Sequence, residues 1–162
     1  MNDYFSWRDD WLLDIELLDR QHMAIAACLS TLANHYRIGQ DSGNTAAWKQ
    51  ELEDLLERLR VETSRHFHDE EQLMHETQYL HLKHHRYEHV MLLAELKQLI
   101  SNINTGKEEL DTDELSHLKT WLIAHTIDSD RKFADYYHST RSGRQAHTGN
   151  ECLSPADAPQ RL

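Results

Sequence analysis

LKHHRYEHVMLLAELKQLISNI, residues 82–103, decides the fold. Leu82, His85, His89, Leu92, Leu96, Leu99 and Ile103 recur at alternating steps of three and four, the period of one face of an α-helix. Two of these positions hold histidine where an apolar residue should complete the stripe. Ionisable side chains are rarely buried unless paired or metal-bound. This helix therefore carries part of a core and part of a site.

The same interruption recurs along the chain. From Ile15 the apolar positions run Ile15, Leu18, Ile25, Leu29, Leu32 and Tyr36, with His22 in the gap, and Gly39 to Thr45 ends the helix. A second helix carries Trp48, Leu52, Leu55, Leu59, then Glu62 or Thr63, then His66, Glu70 and Leu73. No Gly or Pro marks its end. A turn is placed near Thr77 to Tyr79, because an unbroken helix from Thr45 to Asn104 would be far longer than globular helices usually are. Gly106 closes the third helix. The fourth starts after Asp111 or Thr112 and reads Leu115, Leu118, Leu122, His125, Phe133 and Tyr137.

These patterns predict an all-α protein, an up-down-up-down four-helix bundle. Before it, Tyr4, Phe5, Trp7 and Trp11 suit an aromatic arm packed over the end of the bundle. After Tyr137 the composition turns small and polar and includes both prolines, which predicts a disordered tail over residues 139–162 beyond a domain at 1–138.

In phase with the four stripes lie His22, His66, Glu70, His85, His89 and His125. Pairs four residues apart, His66 with Glu70 and His85 with His89, project together from one helix face. The chain has thirteen histidines, so a lone pair at this spacing means little. The stripe discriminates: His81 lies four before His85 yet off the line, and His68, His75 and His84 also read as surface residues. The seventh candidate is Asp130, five residues after His125, where an ideal helix would turn it roughly 140° away. Phe133 and Tyr137 slip by the same residue. A single π-bulge between His125 and Asp130 restores the phase of everything downstream; Asp130 is the expected carboxylate and Asp128 its competitor. Seven N/O ligands are too many for one ordinary metal ion, and imidazoles with carboxylates suit iron better than thiolate-seeking metals.

Composition removes other classes. The net charge of −11 opposes nucleic acid or an anionic membrane as partner. No apolar stretch is long enough to span a bilayer. The start, MNDYFSWRDD, lacks a basic-then-apolar leader, and Cys28 and Cys152 form no spaced framework, so a soluble cytoplasmic protein is expected.

His22 within IELLDRQH, His66 and Glu70 within HFHDEEQLM, His85 and His89 within YLHLKHHRYEH, and His125 to Asp130 within HTIDSD together resemble the hemerythrins, most closely the single-domain bacterial type. The likeness covers about Phe5 to Tyr137. It implies a non-haem di-iron centre (Fe2+/Fe3+) with an oxo or hydroxo bridge that binds dioxygen reversibly, as carrier, store or sensor. One iron would take His85, His89 and His125. The other would take His22 and His66 and keep an open place, with Glu70 and Asp130 bridging. The resemblance also implies a dioxygen pocket of Ile25, Trp121, Leu122 and Thr126, and no enzymatic role. The alternative is a di-iron oxidase or peroxidase, or an iron-donating repair protein; its members carry more carboxylate ligands. Two departures stand out: Leu80 follows Tyr79 where the family often has Pro, and Thr126 stands where a branched apolar residue is usual. That hydroxyl could face the pocket or bond back to its own helix.

Overall fold

The computed structural model describes residues 5–42 and 45–147. Its helices are α1 (Glu16–Ser42), α2 (Ala46–Glu76), α3 (Leu82–Asn104), α4 (Thr112–His125) and α5 (Arg131–His147), with a π-helical turn, Thr126–Asp130, joining α4 to α5. The last three segments run on as one fourth helix. The result is an up-down-up-down bundle in which α1 packs on α2 and α4, and α2 on α3. No strand occurs among the described residues, and none of their helices is long and apolar enough to cross a membrane.

Local chemistry sets the helix ends. The Thr45 hydroxyl accepts from Trp48 N–H at 3.1 Å, and Asp111 Oδ1 accepts from the amides of Asp113 and Glu114, both at 2.8 Å. α2 stops where the sequence suggested, without a glycine. Gln78 takes a left-handed φ of 57°, so that Tyr79 N–H donates to Met74 O at 2.9 Å and Gln78 N–H to His75 O at 3.1 Å. This is a Schellman closure with glutamine in the place usually given to glycine. Gly106, at φ 70°, closes α3 in the same way. Helix α3 begins without a side-chain cap, and Leu80, just before it, is 86% exposed.

Gly39 does not end α1, which continues to Ser42. A Cβ there would lie 2.4 Å from the Trp48 ring, which stacks on His35. This glycine admits a neighbour rather than a turn.

The core is in two parts. The larger packs Ile25, Leu29, Leu32, Leu56, Leu59, Leu96, Leu115 and Leu122. The smaller packs Leu13, Ile15, Leu18, Met74, Tyr79 and Phe133. Each fully buried aliphatic side chain stabilises by about 1.5–3 kcal/mol. On α2 Leu56 and Met74 are buried where Leu55 and Leu73 were expected, the latter two being half-buried; Thr63 is buried and Glu62 is not. The apolar stripe is wider than one residue per turn.

Two further expectations are corrected. The arm lies along the flank of α1 and α4 rather than over the bundle end: Ser30 Oγ donates to Phe5 O at 2.9 Å, and Trp7 stacks on His22 at 5.4 Å. Arg131 clasps it by donating to Leu12 O at 2.7 Å and Asp10 O at 3.0 Å. Tyr4 lies outside the described residues. The disordered tail does not begin at 139, since α5 extends to His147. Ser139, Thr140 and Ser142 hydroxyls donate to the carbonyls of Tyr136, Tyr137 and His138, so a polar stretch satisfies itself as helix. The rest of the tail, residues 148–162, lies outside the described residues.

Candidate metal centre

Between the two apolar clusters the helices turn nitrogen and oxygen inward. α1 supplies His22, α2 His66 and Glu70, α3 His85 and His89, and the fourth helix His125 and Asp130. All are buried except His125, which is nearly so. The π turn does what the phase slip in the sequence required: it brings Asp130 to the interior and leaves Asp128 exposed, paired with Lys132 at 2.8 Å. His68, His75, His81 and His84 are exposed.

The histidines divide three and two. His85 Nε2 lies 3.1 Å from Glu70 Oε2 and 3.3 Å from Asp130 Oδ1. His89 Nε2 lies 3.2 Å from Glu70 Oε2 and 3.0 Å from His125 Nε2, which is itself 3.0 Å from Asp130 Oδ1. On the other side His22 Nε2 is 2.9 Å from His66 Nε2 and 3.1 Å from Asp130 Oδ2. Within each group the candidate ligand atoms lie within 4.8 Å of one another, and Asp130 belongs to both groups. Ligands about 2.1 Å from one metal stand roughly 3 Å apart around it. The observed separations are thus edges of a coordination polyhedron as much as hydrogen bonds. Glu70 meets only the three-histidine group through Oε2, while its Oε1 is buried without a hydrogen-bond partner. An orphaned carboxylate oxygen costs about 1–3 kcal/mol or more unless a cation meets it, so the donor set fits metal.

Electrostatics agree. Burial opposes the charged form of His85, but hydrogen bonds to Asp130 and Glu70 outweigh it and raise its pKa to about 10. His125 is raised in the same sense by Asp130, against burial. Asp130 is held well below the usual carboxylate range; burial opposes this, and His125, His22 and His85 prevail. His66, by contrast, is pushed down to about 3 by burial and by His22. The three-histidine side therefore holds positive charge beside its carboxylates, whereas His66 stays neutral.

Several residues that the sequence reading missed orient this set. His89 Nδ1–H donates to Glu71 Oε1 at 3.0 Å, and Arg86 holds the other oxygen of Glu71 at 2.8 Å. His66 Nδ1–H points to Gln21 Oε1 at 3.3 Å, and Gln21 in turn donates to Asp69 at 2.7 Å. Glu88 Oε2 lies 3.7 Å from His125 Nδ1. The bonds to Glu71 and Gln21 fix Nδ1–H on His89 and His66 and leave their Nε2 atoms free to bind metal. Phe67 stacks flat on His89, with centroids 3.8 Å apart and planes 7° from parallel. Its signal in the sequence was faint: it stands beside His66 on the edge of the stripe.

Of the expected pocket residues, Ile25 and Leu122 belong to the larger apolar cluster and Trp121 packs against it. Thr126 is fully buried, and its Oγ1 has no hydrogen-bond partner. Trp121 also lines a groove of about 490 Å³ between α3 and α4, together with Tyr87, Met91, Leu92, Ala124 and His125.

Fold and site together define a four-helix bundle with a buried histidine–carboxylate cluster able to hold metal. Residues 13–137 match the hemerythrin HHE cation binding domain, and the chain belongs to the hemerythrin family. It is 26% identical over 145 residues to the bacteriohemerythrin of Stenotrophomonas maltophilia, covering 88% of this chain and 89% of that one. It is 27% identical over 128 residues to a bacteriohemerythrin of Campylobacter jejuni, covering 75% and 86%. A crystal structure of wild-type hemerythrin superposes with a TM-score of 0.71 at 22% identity, over 82% of this chain and 96% of that one, which supports the fold.

Proposed function

We propose that this chain binds dioxygen reversibly at a non-haem di-iron centre. The observation that carries the reading is the division of five buried histidines into groups of three and two that share Asp130. His85, His89 and His125 would saturate one iron together with the carboxylates. His22 and His66 would leave the second iron an open place for a ligand. Glu70, with Oε1 unpartnered, would bridge alongside Asp130. Two ferrous ions in such a cage supply the electron pair that reversible dioxygen binding needs.

The protein's part is to hold geometry and exclude water. Glu71 and Gln21 fix ring tautomers, Phe67 and Trp7 cover ring faces, and Ile25 and Leu122 keep the neighbouring layer apolar. A ligand set rich in neutral imidazole and poor in carboxylate disfavours high-valent iron and favours binding over oxidation. The deciding experiment loads the protein with iron anaerobically and follows its visible absorption. A colourless protein should gain a charge-transfer band with dioxygen and lose it under argon. Irreversible colouring with consumption of a reductant would point instead to an oxidase.

A further inference from the structure

Two hydroxyls are sealed into this protein without partners. Thr63 and Thr126 are both 0% exposed, and neither Oγ1 makes a hydrogen bond. Helical threonines ordinarily donate to the carbonyl one turn back, as Thr31 does to Ala27 at 2.9 Å and Thr105 to Ser101 at 2.7 Å. Leaving a buried hydroxyl unsatisfied costs about 1–3 kcal/mol. Two in one core ask for an explanation.

Their placement supplies one. Thr63 lies one turn before His66 on the inward face of α2, in line with Leu59. Ile25 lies one turn after His22 on α1. The antiparallel course of α1 and α2 sets Ile25 and Thr63 in the same layer, directly beneath the His22–His66 pair. Residues of α4 that face α3 are Thr120, Trp121, Ala124 and His125, which line the groove there. Thr126 is buried, lies outside that lining and opens the π turn directly after His125. Thr63 thus stands one turn from the two-histidine pair, and Thr126 lies beside His125 in the same interior, next to the apolar cluster that holds Ile25 and Leu122.

We infer that Thr63 and Thr126 form a two-donor recess that receives a small anion at the two-histidine metal. Thr63 is thereby a specificity-determining residue, favouring ligands that carry negative charge on a terminal atom once bound over ligands that stay uncharged there. The hydroxyls donate to that terminal atom; a neutral ligand leaves them unsatisfied. This rests on the di-iron reading above.

Azide is the probe. The iron-loaded, oxidised protein is titrated with azide, and the dissociation constant is read from the charge-transfer band for the unsubstituted protein, Thr63→Val and Thr126→Val. Thermal unfolding of the metal-stripped proteins is measured in parallel. Each variant should bind azide about 10- to 100-fold more weakly, the loss of one hydrogen bond to a charged group. Metal-stripped Thr63→Val should melt no lower than the unsubstituted protein, since an unsatisfied hydroxyl is replaced by a methyl of like shape. Unchanged azide affinity in Thr63→Val, with normal iron content, would overturn the inference and leave the di-iron reading standing. A lower melting point without an affinity change would show that the hydroxyl serves its own helix, and would overturn it equally. Failure of the unsubstituted protein to take up iron would overturn the functional reading and this inference with it.

Discussion

Glu71 accepts a hydrogen bond from His89 Nδ1–H at 3.0 Å, while its neighbour Glu70 meets the Nε2 atoms of His85 and His89 at 3.1 and 3.2 Å. One step along α2 separates a carboxylate inside the cluster from one that aims a ring at it. The device repeats around the bundle. Gln21, beside His22, reaches His66, and Glu88, beside His89, reaches toward His125. On α1, α2 and α3, the residue next to a member of the cluster thus reaches toward a histidine of the following helix.

Glu71→Leu removes the acceptor for His89 and frees the ring to turn, while the buried set stays intact. Metal affinity should fall by about 10- to 100-fold, and Glu71→Gln, which keeps an acceptor, should recover part of it. Competition with a chelator, read by elemental analysis, measures both. Equal affinities in all three proteins would show that packing by Phe67 alone holds the ring.

Asp130→Asn removes the charge shared by both halves, within 3.0–3.3 Å of His22, His85 and His125. Leaving those groups uncompensated in the interior should destabilise by about 3–5 kcal/mol and cost at least one metal ion. Asp128→Asn loses only an exposed pair with Lys132 and should change stability by less than about 0.5 kcal/mol. Thermal unfolding with metal analysis separates the two; a severe Asp128 variant beside a mild Asp130 variant would reverse the assignment.

Metal must displace protons here. With its pKa at about 10, His85 is protonated at neutral pH, and His125 is shifted the same way. Anaerobic ferrous loading at pH 7 in weak buffer should expel about one proton or more per chain, seen with an indicator dye. The stripped protein should show the matching pH profile. The raised His85 contributes stability in full below the ordinary histidine pKa of about 6.5, and this is lost as pH rises toward about 10. His66, lowered to about 3, contributes the reverse: its stability is present above about 6.5 and lost as pH falls toward 3. The lowered Glu70 and Asp130 add further loss on the acid side. Maximum stability should lie near pH 6.5, and a profile rising steadily to pH 9 would contradict these charge states.

Thr126→Ile fills the buried position with a branched apolar side chain and removes its hydroxyl. On the dioxygen-binding reading the branched side chain also excludes water, so irreversible loss of the oxygenated absorption in air should slow by roughly fivefold. Stopped absorption traces in air give the rate; identical rates would place Thr126 away from the bound ligand.

Gln78 holds a left-handed conformation that costs a side-chain-bearing residue about 1 kcal/mol or more. Gln78→Gly should raise stability by about that amount without altering metal content, as chemical denaturation would show. A loss of stability would mean that the glutamine side chain contributes more than its backbone costs.

Much of this was legible in the sequence, for reasons that differ by element. The stripe through His85 and His89 is unambiguous because its steps never break phase. The π turn was legible because Asp130, Phe133 and Tyr137 all slip by the same residue after His125. Leu56, Phe67 and Met74 were not, since a buried face wider than one residue per turn leaves its edges undetermined. Glu71, Glu88 and Gln21 carry no signal in the sequence, because polar neighbours of a stripe ordinarily face solvent. Gly39 read as a terminator because its use, admission of the Trp48 ring, depends on another helix. The helical stretch to His147 was hidden because serine and threonine disfavour helices by composition yet can bond to their own carbonyls.

The division of the core into two apolar clusters has a consequence for how the molecule comes apart. The histidine–carboxylate layer is the joint between them, and its cohesion depends on charge balance rather than on oil-like burial. Loaded with metal, the joint welds both ends into one cooperative unit. Stripped of it, the smaller cluster around Leu13, Leu18, Met74 and Phe133 is tied to the larger through the histidine–carboxylate hydrogen bonds, the helix backbones and the clasp of Arg131 on the arm. That end should open first, as a separate event, and a metal bound in the joint would be the fastener that makes folding all-or-none.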